Sequence, residues 1–142
     1  MAGQQDDPLG IPNETRLFRR VNPFQTTYDS NRGERRPTSQ CFNDSQDRSP
    51  MSVFAENVAM AHGETPADFL RGRWEGWYLV AVTAGWMRDH GQEVYLDLDN
   101  QDADDRFHSH AAVKGPKNDK QRKKLADGYE WVIAPPNRFE PD

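Results

Sequence analysis

The run WYLVAVTAGWM, residues 77–87, constrains the fold more than any other stretch. It is the longest apolar segment in a chain that is 35% hydrophobic and 29% charged, so the core must form around it. It is too short to cross a membrane as a helix, which takes about 20 apolar residues. Extended to 75–90, EGWYLVAVTAGWMRDH, it is apolar nearly all round. That pattern predicts a buried central helix, ended by Gly91 in the left-handed conformation.

The flanking segments are read from their periodicity and caps. TRLFRRV (15–21) is a short strand. Residues 22–50 are rich in Asn, Ser, Asp, Gly and Pro, and predict a long irregular loop region with one short strand at 39–42. Such a loop needs something to organise it, either a function or a partner. SVFAENVAMAHG (52–63) predicts a helix capped by Ser52 and stopped by Gly63. Thr65, Pro66 and Asp68 form a capping signal. EVYLDL (93–98) and RFHSHAAV (106–113) alternate as strands and predict an antiparallel pair. Residues 118–128 predict a basic helix capped by Asn118, and YEWVI (129–133) a last strand. This order predicts an α+β fold, a small mixed, mainly antiparallel sheet packed on the central helix. With 142 residues, one domain over 15–133 is expected, with a flexible arm at 1–14 and an extended tail at 134–142.

Charge and cysteine usage narrow the setting. The net charge of −5 argues against generic nucleic-acid binding, although basic clusters leave room for a nucleotide or nucleic acid on one face. Cys41 is the one cysteine, so no disulfide can form within the chain, which fits a reducing compartment. MAGQQDDPLGIPNE lacks the apolar core of a secretory signal. A cytoplasmic protein without membrane contact is expected.

Alternation locates the candidate chemistry. With Val94 and Leu96 facing the core, Glu93, Tyr95 and Asp97 share the opposite face with His108 and His110. Two imidazoles and a carboxylate suit zinc, manganese or iron, or general acid–base work near neutral pH. The competing reading is two polar side chains on the wet face of a strand. The acidic run Asp97, Asp99, Asp102, Asp104 and Asp105 lacks the glycine and terminal glutamate of an EF-hand loop and reads as a solvated tip. Arg19, Arg20, Arg32, Arg35 and Arg36, with Lys114, are the candidate anion binders. The lysines and arginine of 117–124 read as a solvated helix face. Cys41 reads as a buried inert thiol. No specific cofactor motif is present: G-x-G-x-x-G, the phosphate-loop pattern and G-x-S-x-G are all missing.

The order Arg19, Thr38-Ser39, Glu93 resembles the Arg, Ser-Thr-Ser, Glu order of ADP-ribosyltransferases. It departs from that pattern in the tight spacing between Arg19 and Ser39, in the shortened triplet and in Gly91, which stands where an acidic residue or Gln is usual. The family is not assigned on these residues.

The first functional expectation is a small binding or adaptor subunit of a larger assembly, with a protein partner held by the arginine loop and by exposed Trp74, Trp77 and Trp86. The alternative is an enzyme acting on a phosphorylated or nucleotide substrate through the His/carboxylate face, with arginines binding the anion.

Overall fold

A computed structural model describes residues 10–44, 49–97 and 107–141. Its main element is a six-stranded sheet. In chain order its strands are β1 (Arg16–Val21), β4 (Met51–Ala55), β5 (Tyr78–Thr83), β6 (Glu93–Leu96), β7 (His110–Lys114) and β8 (Glu130–Ile133). Across the sheet they run β6-β7-β4-β1-β5-β8, and every neighbouring pair is antiparallel. A separate hairpin joins β2 (Thr26–Asp29) to β3 (Glu34–Pro37). Among the described residues there are three short α-helices: α1 (Glu56–Ala61), α2 (Ala84–Asp89) and α3 (Asp119–Asp127). The chain is a small α+β protein built on a mainly antiparallel sheet, as its element order predicts.

The 75–90 segment is the main correction. It is not a central helix. Tyr78–Thr83 is a strand paired to β1 on one side and β8 on the other, and only Ala84–Asp89 is helical. Leu79, Val80, Ala81 and Val82 are each at most 2% exposed, because both faces of this strand are covered. A strand buried on both faces loses its alternation and reads as a continuous apolar run. Val80 and Val82 join one core with Leu17, Val21, Val53 and Met87. Leu79 and Ala81 join the other with Phe18, Phe54 and Phe69. Thr83 begins the helix by accepting a hydrogen bond from Trp86 N at 3.1 Å. Gly91 closes the segment with φ of 84°, as expected.

The same error occurs at 52–63. Met51–Ala55 is strand β4, and the helix starts only at Glu56. Ser52 is therefore no cap; it lies in the sheet opposite Ala112. The strand expected at 39–42 is a short 3-10 turn, Ser39–Cys41, whose Cys41 and Phe42 are buried. The pair β6–β7 does form, with Val94 opposite Val113 and Leu96 opposite Ala111. The Thr65/Asp68 capping box and the Asn118 cap, which accepts from Gln121 N at 2.9 Å, are also present.

The loop region at 22–50 contains the β2–β3 hairpin, and the chain itself organises it. Tyr129 Oη donates to Glu34 Oε2 at 2.6 Å, and Trp131 Nε1 donates to Arg35 O at 2.9 Å. The Arg138 guanidinium donates to Glu34 Oε1 at 2.8 and 3.0 Å. The C-terminal segment thus folds back in a turn at residues 136–139 against the hairpin. Of the expected arm, residues 1–9 lie outside the described residues, while Ile11 is buried in the core.

Candidate functional site

The sheet pairing defines the site. On the face away from Leu17 and Val53, three cross-strand rows run side by side. Phe54 stands opposite His110, whose carbonyl accepts from Asp97 N at 2.9 Å. Ser52, Ala112 and Tyr95 form the next row, and Lys114 and Glu93 the third. His110 is 4% exposed. Its Nδ1 lies 3.4 Å from Asp97 O and 3.6 Å from Asp97 Oδ2, and its Nε2 lies 3.1 Å from Ser52 Oγ. The Asp97 oxygens of a carbonyl and a carboxylate only accept, so the neutral ring carries its proton on Nδ1. The Nε2 lone pair then accepts from the Ser52 hydroxyl. The Phe54 ring, edge-on at 5.9 Å, closes the apolar side of the imidazole.

The two histidines do not converge. Strand β7 begins at His110, and His108 sits in the preceding turn with its side chain 66% exposed. Glu64 builds that turn: its carboxylate accepts from His108 N at 2.8 Å, Ser109 N at 3.2 Å and Ser109 Oγ at 2.6 Å. The His108 ring leans the same way, with Nδ1 3.2 Å from Glu64 Oε2 and its face stacked on His62 at 3.9 Å. Alternation does not extend past the strand end, so the shared face holds His110 without His108. Glu93 is on the face but exposed, four residues from Asp97 and so about 13 Å along the strand. No group of three His, Cys, Asp or Glu suited to a metal occurs among the described residues. Asp99, Asp102, Asp104 and Asp105 lie outside them.

A cleft of about 550 Å³ opens on this face, lined among the described residues by Asp44, Pro50, Tyr95, Lys114 and Gly115; Tyr95 shares a cross-strand row with Ala112 and Ser52. Lys114 and Tyr95 are exposed at it. Two of these lining residues, Asp44 and Gly115, are held by Lys117, whose side chain is only 3% exposed. The Lys117 ammonium pairs with Asp44 at 2.7 Å and donates to Val113 O at 2.9 Å and Gly115 O at 3.3 Å. Lys117 therefore does not belong to the solvated helix face read from the sequence. Gly115 is required by close approach: a Cβ there would lie 2.7 Å from Gly91 O and 2.8 Å from Gln92 Oε1.

The candidate arginines are spread over the molecule and bound within it. Arg19 donates to Cys41 O at 2.9 Å and Ser52 O at 2.8 Å, tying the 3-10 turn to β4. Arg20 donates to Phe69 O at 2.6 Å and stacks on Phe54 and Trp74. Arg32 donates to Asp127 O at 2.9 Å and lies over Tyr129. Arg35 is 8% exposed and donates to Thr26 Oγ1 at 3.1 Å. Arg36 pairs with Asp127 at 2.8 Å and Asp29 at 3.4 Å, beside a second cleft of about 420 Å³ under α3. Arg19 and Glu93 stand three strands apart, about 14 Å, so the ADP-ribosyltransferase-like order brings no site together. Cys41 is enclosed, and burial pushes its thiol up to about 11, which keeps it protonated and inert.

Comparison with known protein families, characterised proteins and solved structures finds no match to this chain. Among the described residues no helix is long and apolar enough to cross a membrane. The residues missed in the sequence are Ser52 and the Asp44–Lys117 pair. Alternation of Met51, Val53 and Ala55 against Ser52 and Phe54 was the signal for the first. The second brings together residues far apart in the chain and has no local signal.

Proposed function

We propose that this protein is a small enzyme that moves a proton at His110 while a compact substrate occupies the Tyr95–Lys114 cleft. The observation that carries the reading is the position of His110, whose Nδ1 faces Asp97 and whose Nε2 faces the Ser52 hydroxyl, one cross-strand row from Tyr95, which lines an open cleft. Burial of the ring and the Asp97 oxygens fixes one tautomer and presents one basic lone pair. Lys114 is the cation that lines this cleft, and it would hold the substrate's polarised oxygen. The arginines expected to bind a phosphorylated or nucleotide substrate are turned to internal partners, which narrows the substrate to something Lys114 can satisfy.

The test is turnover of a panel of chromogenic carboxylic esters and phosphomonoesters. The natural chain is expected to turn over at least one. His110→Asn should lower that rate by about 10²–10⁴-fold, and His108→Ala should leave it unchanged. A panel left untouched by the folded protein overturns the proposal, as does an equal rate in His110→Asn.

A second reading, the binding or adaptor subunit, draws support from Phe24 at 94% exposure and Phe139 at 68%. Arg35 donates to both Thr26 O and Glu140 O, which ties the segments that carry the two rings to the hairpin. Exposed aromatic rings suit a protein partner. Trp74, Trp77 and Trp86 support it less, because each is half-buried against in-chain partners. A Phe24→Ser/Phe139→Ser variant that assembles with cellular partners as the natural chain does would remove this reading.

A further inference from the structure

We propose that Ser52 is a covalent nucleophile and that the Tyr95–Lys114 cleft takes short, uncharged carboxylic esters. The inference rests on the reading of His110 as the general base. Ser52 Oγ lies 3.1 Å from His110 Nε2, the nitrogen left with its lone pair once Nδ1 is committed to Asp97. Exposure is graded along the chain of groups. Ser52 is partly open to solvent, His110 is 4% exposed, and the Asp97 side chain is 36% exposed at the far end. Ser52 shares its cross-strand row with Tyr95 of the cleft, so of the two groups the more open hydroxyl is the one a substrate there would meet first. A reachable hydroxyl, an enclosed imidazole and an orienting carboxylate are the parts that nucleophilic acyl transfer requires.

Charge selects the ester over a phosphate. Among the described residues that line the cleft, Lys114 is the one cation, and the Asp44 carboxylate lines it too, already held by Lys117. A phosphate dianion would face both signs at once. A neutral carbonyl gains negative charge only as it is attacked, and one ammonium then suffices. Lys114 stands one alternation beyond Ala112, the residue opposite Ser52, on the same face. Pro50 and the Tyr95 ring give the acyl chain an apolar wall.

The reaction balances with water as the only co-reactant. Ser52 Oγ attacks the ester carbonyl carbon, its proton passes to His110 Nε2, and the carbonyl electron pair moves onto oxygen. Collapse breaks the bond to the alkoxy oxygen, which takes the proton from Nε2 and leaves as the alcohol. The acyl group remains on Ser52. Water then attacks the acyl carbon and gives a proton to Nε2. Collapse releases the carboxylic acid, and Ser52 regains its proton from Nε2.

The experiment treats the full chain with a fluorophosphonate, which phosphonylates activated serines, and with p-nitrophenyl acetate and butyrate. Peptide mass spectrometry is expected to place one phosphonyl group on Ser52. Ester turnover should fall by about 10²-fold or more in Ser52→Ala and in His110→Asn. Thermal melting confirms that each variant is folded. Because His110 is buried and its variant is at risk of unfolding, Asp97→Asn serves as a second probe, with slower labelling at an unchanged position. Turnover retained in Ser52→Ala but lost in His110→Asn overturns the nucleophile and leaves the general base standing. A label on another residue, or none on the folded natural chain, overturns the nucleophile directly. Turnover indifferent to His110→Asn overturns both readings.

Discussion

His110 and His108 show how far two neighbours of the same type can diverge. One is drawn under the sheet face by Ser52 and Asp97, the other is turned outward by Glu64. The sequence placed His110, Asp97, Tyr95 and Glu93 on one face correctly, because strand alternation is a local rule. It failed for His108, because the strand's first residue depends on Glu64, which arrives from another part of the chain. Gly115 illustrates the same dependence on distant groups. Nothing in its neighbours marks it as special, yet Gly91 and Gln92 leave no room for a Cβ. Gly115→Ala should destabilise the protein by about 1–3 kcal/mol through overpacking. Thermal or urea melting checks this, and a midpoint equal to that of the natural chain would mean the contact yields without cost.

At the scale of elements, the two misread segments fail for one reason. In 52–63 and in 75–90 a strand runs into a helix without a breaker, at Ala55–Glu56 and at Thr83–Ala84. Local periodicity averages the two halves into a helical pattern. The central position of β5, with β1 and β8 beside it and a core on each face, removes the polar positions that would have revealed a strand. Valines at 80 and 82 and Thr83 favour the extended form, as β-branched residues do. Leu79 tests this arrangement. It is fully buried with Phe18, Phe54 and Phe69, so Leu79→Ala should cost about 2–5 kcal/mol through lost burial and a residual cavity. An unchanged stability would place Leu79 on an open surface and refute the second core.

For the whole molecule, the decisive contacts join the middle of the chain to its end. Glu34 receives Tyr129 and Arg138, and Trp131 reaches Arg35, so the hairpin rests on β8 and the segment after it. Tyr129→Phe removes a hydrogen bond to a charged carboxylate, worth about 1–3 kcal/mol. It should raise amide exchange in the hairpin before it affects β1 or β5, and hairpin protection that stays the same would show that this anchor is not needed. By itself the sequence determined the α+β class, the β6–β7 pairing, the caps at Thr65 and Asn118, and the common face of Glu93, Tyr95, Asp97 and His110. Each follows from periodicity or capping within a few residues. That this face is largely covered by a second core was not legible in the sequence. Only the tertiary structure decided that the longest apolar run is a strand, that the arginines are internal staples, and that Ser52 meets His110. Those outcomes depend on which segments cover a second sheet face and which carbonyls lie within reach of a guanidinium, and neither is encoded within one local window.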